Sequence, residues 1–216
     1  MTSEGRASNW WDNAISAWIE AKPAEALVSI ERFRELKPSN VPSLLVHAEI
    51  LTELGRYAES GALLKQFGRI CRKKKVKLTR YECVAWGNLF KSQGDLLEAE
   101  KWWRKLIVIE PKSTEGFIRL GACLANQGRL RESEEVHKKA TILRGDQDEA
   151  FFNLGLILRA QGRFEEAADA FQAALELDTE YESARSALMD IRKALKLRQT
   201  ILRKKKRNGR SRSLGD

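Results

Sequence analysis

The strongest constraint in this sequence is a period. Gly87, Gly121 and Gly155 lie 34 residues apart, and Gly94, Gly128 and Gly162 repeat that spacing seven residues further on. Around the first set the chain reads Cys83-x2-Trp86-Gly87-x2-Phe90, Phe117-x2-Leu120-Gly121-x2-Leu124 and Phe151-x2-Leu154-Gly155-x2-Leu158. Each is followed by a second amphipathic run, at 97–109, 130–143 and 164–177. A fixed period of this size marks an array of stacked supersecondary units. Phe151, Leu154, Leu158, Phe164, Ala167, Phe171, Ala174 and Leu175 recur at three- and four-residue spacing, the stripe of a helix. Gly155 has no side chain, so a neighbouring helix can approach closely, and Gly162 sits between two stripes, where a left-handed residue ends the first helix. One hairpin cannot bury both its faces, so neighbours must stack.

On these residues the chain resembles the tetratricopeptide repeat family, whose motif is a large apolar residue, Leu-Gly and an aromatic, then a small residue, a second aromatic and a closing proline. The second half of the motif reads Ala99-x3-Trp103 with Pro111, Ser133-x3-His137, and Ala167-x3-Phe171. The resemblance implies an all-α fold: a right-handed α-solenoid of about five helical hairpins with a concave groove, plus a C-terminal capping helix. The expected boundaries are one solenoid over 7–206, with repeats at 7–40, 41–79, 80–113, 114–147 and 148–181, a capping helix at 182–206 and a disordered basic tail at 207–216.

The first repeat is degenerate. Asn13 stands where leucine is usual, and Ala21-Lys22-Pro23 replaces the glycine turn. The second is longer, because Gly55 and Gly94 are 39 residues apart. The excess falls in Cys71-Arg72-Lys73-Lys74-Lys75-Val76-Lys77, read as a longer second helix or a longer loop. Cations there suit a helix C-terminus, with a phosphate-binding patch as the alternative. Gly145 and Thr179 take the closing-proline places of the fourth and fifth repeats.

Composition narrows the function. No apolar run is long enough to span a membrane, and the N-terminus lacks a basic-then-apolar signal pattern. Cys71, Cys83 and Cys123 are an odd set without close spacing, which gives neither a metal site nor a disulfide framework. Cys83 and Cys123 lie within helical core patterns and are expected as buried free thiols in a reducing cytoplasm, and the basic run 203–207 leaves a nuclear address in a eukaryote open. The net charge of +9 is concentrated at one end: 192–216 holds 11 Lys plus Arg and one Asp, leaving 28 basic against 29 acidic residues elsewhere. The basic residues of the tail include Arg203, Lys204, Lys205, Lys206, Arg207, Arg210 and Arg212.

Nothing in the sequence points to catalysis. There is no phosphate loop, nucleophile elbow or HExxH, so no enzyme, cofactor or metal is expected. His47 and His137 stand at interior places of the motif, where a core histidine is the expected reading. Glu98-x-Glu100, Glu134-Glu135 and Glu165-Glu166 read as outer-face solubilising residues of the second helices.

The resemblance places ligands along the first helices. Carried onto this sequence, the groove candidates are Trp11, Ile15, Trp18, Leu45, Glu49, Tyr81, Val84, Asn88, Lys91, Ile118, Asn126, Phe152, Leu156 and Arg159. The family's carboxylate clamp does not fit: Val84, Arg119 and Glu149 replace its Lys, Asn and Lys. The expected function is therefore a protein–protein scaffold or adaptor binding an apolar or amphipathic segment, with packing between first helices as the competing role of the apolar candidates. Trp11 and Trp18, with no preceding repeat to cover them, leave self-association open. The alternative is association of the basic C-terminal helix and tail with nucleic acid or an anionic membrane.

Overall fold

A computed structural model describes residues 3–77 and 79–212. Among them are eleven helices: α1 (Ser3–Ile19), α2 (Pro23–Leu36), α3 (Pro42–Glu53), α4 (Tyr57–Lys73), α5 (Arg80–Ser92), α6 (Leu96–Ile109), α7 (Thr114–Asn126), α8 (Leu130–Ala140), α9 (Gln147–Ala160), α10 (Phe164–Leu177) and α11 (Glu182–Arg212). They form two compact units, Met1–Pro111 and Lys112–Asp216, and the 34-residue register crosses that boundary unchanged. The first unit holds the hairpins α1/α2, α3/α4 and α5/α6; the second holds α7/α8 and α9/α10, with α11 against α10.

Every hairpin turns on the same device. Ala21, Gly55, Gly94, Gly128 and Gly162 all have positive φ, between 55° and 80°. The residue after each donates its N–H to a carbonyl five positions back: Lys22 to Ala17, Arg56 to Leu51, Asp95 to Phe90, Arg129 to Leu124 and Arg163 to Leu158, at 2.8–3.0 Å. This is the bond by which a left-handed residue closes a helix and satisfies one of its last carbonyls. The degenerate first repeat makes the turn with Ala21, which carries a Cβ into a region glycine occupies more readily.

The same closure resolves the long second repeat. Helix α4 has 17 residues, against 14 in α6 and α10, and Lys75 at φ 54° ends it with Val76 N–H on the Cys71 carbonyl. The insertion is thus a longer helix followed by a turn. Arg72 and Lys73 lie in the last turn, where cations favour the helix dipole.

Packing inside each hairpin matches a small residue with a large one 16 positions later. A Cβ at Gly87 would come within 2.3 Å of the Trp103 ring, one at Gly121 within 2.4 Å of His137, and one at Gly155 within 2.6 Å of Phe171. In the first two hairpins alanine takes the small place, with aliphatic partners: Ala14 with Ile30, and Ala48 with Leu64. Wherever the second helix presents a ring, the first helix has given up its Cβ.

The joint at Gly145, where the closing proline is replaced, is closed by backbone pairing. Thr114 N–H donates to the Arg144 carbonyl at 3.1 Å and Arg144 N–H to the Lys112 carbonyl at 3.2 Å, an isolated parallel bridge between the two loops. Thr114 Oγ1 also accepts from Asp146 N–H at 3.1 Å. Gly145 (φ 119°) permits this, since a Cβ there would sit 2.5 Å from Thr114 Oγ1.

At the other end, Ala187, Leu188 and Ile191 of α11 are buried against Leu154, Leu158, Ala167 and Phe171, as a capping helix should be. The helix continues through Arg212, past the expected end at 206. Residues 207–212, read from sequence as disordered, continue it although Asn208, Gly209 and Ser211 are weak helix formers and only the arginines favour helix; residues 213–216 lie outside those described.

Candidate functional site

The first helices α1, α3 and α5 bring equivalent positions of three repeats onto one face of the first unit. Counting back from each turn aligns Trp18 with Thr52 and Lys91, Ile15 with Glu49 and Asn88, and Trp11 with Leu45 and Val84. Trp18, Glu49, Thr52, Glu53, Asn88, Lys91 and Ser92 line one cavity of about 180 Å³. The Trp18 indole N–H donates to Glu53 Oε1 at 2.7 Å, which fixes the ring at the cavity edge. Four groove candidates therefore meet: Trp18, Glu49, Asn88 and Lys91. The sequence reading missed Glu53 and Ser92. The available signal was spacing, since Glu53 is one repeat plus one residue beyond Trp18.

The remaining candidates of this unit divide between surface and core. Tyr81 is 64 % exposed, with the Arg80 guanidinium carbon 5.5 Å from its ring centroid. Trp11 packs against Phe33, ring centroids 5.0 Å apart, so its indole mainly completes the first hairpin. Leu45 is half-buried between two apolar clusters, and Ile15 and Val84 are half-buried.

In the second unit Ile118 is only 6 % exposed, among Phe117, Ala140 and Ala150, so it belongs to the core and not to a binding surface. Phe152 lies between Phe171 and Tyr181, at centroid distances of 5.7 and 5.0 Å, and Leu156 packs on the α9/α10 cluster. Asn126 and Arg159 are exposed.

The family profile described as Tetratricopeptide repeat matches residues 148–181. Among solved structures, a thermophilic tetratricopeptide-repeat protein of Thermus thermophilus is 17 % identical with a TM-score of 0.68, covering 86 % of this chain and 98 % of that one. A tetratricopeptide repeat protein from Parabacteroides merdae is 16 % identical with a TM-score of 0.69, covering 86 % and 70 %. YrrB, a tetratricopeptide-repeat protein with an unusual peptide-binding site, is 18 % identical with a TM-score of 0.56, covering 81 % and 87 %. A comparison with curated proteins returned no match. Residues 148–181 are a tetratricopeptide repeat, and the chain has the tetratricopeptide-repeat fold.

Within that fold the two histidines are core residues. His137 fills the aromatic place opposite Gly121; its Nδ1 is buried without a hydrogen-bond partner among the described residues, and burial pushes its pKa down to about 4. His47 Nδ1 lies 2.9 Å from Arg34 Nη1. Arginine can only donate, so Nδ1 is the acceptor and the proton sits on Nε2. Burial, then the Arg34 and Arg56 charges, hold His47 at about 4.

The acidic residues of the second helices are not all outer-face solubilisers. Glu100 and Glu134 are buried; Glu100 accepts from Arg104 at 2.7 Å, and Glu134 from Lys138 at 2.6 Å and Arg163 at 2.8 Å. Burial opposes ionisation of Glu134, but hydrogen bonds from Lys138, Arg163 and Gln161 outweigh it and hold the carboxyl at about 2. These residues tie α8 to the start of α10, a stacking role that a single-helix reading does not reveal.

All three cysteines of the repeat protein are buried free thiols, with burial raising Cys83 to about 11. Among the described residues no group of three or more His, Cys, Asp or Glu side chains gathers as a metal site requires. Arg203 of the basic tail is exposed, and Lys204, Lys205, Lys206, Arg207, Arg210 and Arg212 lie along α11.

Proposed function

We propose that this protein is a non-catalytic interaction scaffold whose first-helix faces bind an amphipathic segment of another protein. The observation that carries the reading is the convergence of Trp18, Glu49, Asn88 and Lys91, from three successive first helices, around one cavity. The residues alongside complete an amphipathic surface: exposed Tyr81 and half-buried Leu45 and Val84 offer apolar contact, and Asn88 and Lys91 offer hydrogen bonds and charge. Anchors of this kind, aromatic and aliphatic with a few placed polar groups, are what a laid-in helix or strand engages. The resemblance to YrrB, itself described as having a peptide-binding site, supports the reading.

The test is site-specific photo-crosslinking. A photoreactive residue at Asn88 or Lys91 should capture a defined polypeptide, whereas one at Lys65, exposed on α4, should not. Capture of the same polypeptide from Lys65, or none from the first-helix positions in a cell that contains the partner, would reject the face. The Lys91→Glu substitution should weaken capture about ten-fold or more by reversing a charge at the contact, with helicity unchanged.

A further inference from the structure

We propose that the distal half of α11, from Leu197 onward, docks this protein onto an anionic lipid surface. The helix has two parts of different character. Its first turns are capped into the fold, and up to residue 203, where its described side chains end, Ile191 is the last buried residue and Leu195 the last half-buried one. Beyond these, Arg198 still reaches Glu165 at 3.3 Å, and residues 199–203 are exposed.

That outer part carries aliphatic side chains that no packing explains. Leu197, Ile201 and Leu202 are 63 %, 46 % and 54 % exposed. Leu197 and Ile201 are one helical turn apart and share a face, with Leu202 beside it. Single exposed aliphatics are ordinary, but these lie within a segment of unusual charge. Residues 192–212 hold eleven Lys plus Arg and no acidic residue, while the rest of the chain is close to neutral.

Aliphatics and cations along one helix match the boundary layer of a membrane. The aliphatics enter the region between headgroups and acyl chains, and the cations face acidic headgroups. No helix among the described residues is long and apolar enough to cross a membrane, so the contact is with the surface. A nucleic acid would use the cations and leave the aliphatics idle. Residues 182–216 also contain no Phe, Trp or Tyr on which a base could stack. The aliphatics therefore favour lipid. This segment shares no residue with the first-helix site, so either proposal can fail without the other.

The experiment is flotation of the full chain with vesicles at about 0.15 M salt. Phosphatidylcholine vesicles containing phosphatidylserine are compared with phosphatidylcholine alone, and a double-stranded DNA is measured in parallel. Two variants accompany the wild type: L197S/I201S/L202S, all at exposed positions, and K204E/K205E/K206E, with circular dichroism confirming the fold. The chain should float with the acidic vesicles and not with the neutral ones. Each variant should bind the acidic vesicles about ten-fold more weakly or worse, because lost methylenes and lost charges both weaken interfacial binding. No flotation with acidic vesicles overturns the proposal. So does a triple-serine variant that floats like the wild type. DNA binding that is tighter than vesicle binding and indifferent to the serines would reassign the segment to nucleic acid.

Discussion

At the residue scale the fold rests on a size exchange repeated five times, and it makes sharp predictions. Gly155 faces Phe171 with no room for a Cβ, so Gly155→Ala should lower stability by about 1–3 kcal/mol, the usual cost of overpacking a filled core. Thermal or denaturant unfolding would measure it. The turn positions behave oppositely. Ala21 holds φ 55°, and Ala21→Gly should raise stability by about 0.5–1 kcal/mol. The buried histidines give a pH signature. Both have folded pKa values near 4 against an ordinary 6.5, so the unfolded chain takes up protons first as pH falls. Their contribution is whole above pH 6.5 and is lost as pH drops towards 4, at up to about 1.4 kcal/mol per pH unit each. His137→Phe copies the Gly155–Phe171 pairing and removes a buried unpaired nitrogen. Denaturant titrations in the upper part of this range, above the pH where Glu134 and the other carboxylates add to the slope, should show a slope reduced towards half that of wild type and a more stable protein.

At the scale of the element, α11 shows how one helix serves two environments. Ile191 is buried against the α9/α10 cluster, so Ile191→Ala should cost about 2–4 kcal/mol. Leu197 is exposed six residues later, and Leu197→Ala should change stability by less than about 0.5 kcal/mol. Comparable losses from both substitutions would mean that the outer half is packed. Much of this was legible in the sequence. Of the apolar side read from the sequence, Ala184, Ala187, Leu188 and Ile191 are buried, Leu195 is half-buried and Leu202 is exposed. The helix end was not legible, because a basic segment without an apolar pattern and with Asn208, Gly209 and Ser211 in it reads as disordered. The second-helix acids were misread for a related reason. Glu134 looks like a surface residue on its own helix and becomes buried only when Arg163, 29 positions later, closes over it.

At the scale of the molecule, the basic segment contributes charge without contributing to the described packing. Residues 199–216 carry seven Lys plus Arg and one Asp, and among the described residues the ion pair farthest along α11 that joins it to α10 is Arg198 with Glu165. A chain ending at Arg198 should keep its melting temperature within about 2 °C, since residues 199–203 are exposed and exposed residues away from packed features contribute little. A fall much larger than that in calorimetry would mean that the segment stabilises the fold.

What the sequence determined by itself is whatever depends on local spacing. The 34-residue period, the glycine turns, the small-to-large pairs and the buried places of His47 and His137 all follow from which residues recur at which intervals. These features are carried within one hairpin, where covalent connection dictates what meets what. The tertiary structure decided what depends on contact between hairpins. It gathered Trp18, Glu49, Asn88 and Lys91 round one cavity, withdrew Ile118 into the core, and buried Glu134 beneath Arg163. Which residue faces a partner depends on how far a neighbouring repeat covers it, and that coverage is set by helix packing across repeats and is not written in the spacing of any one of them.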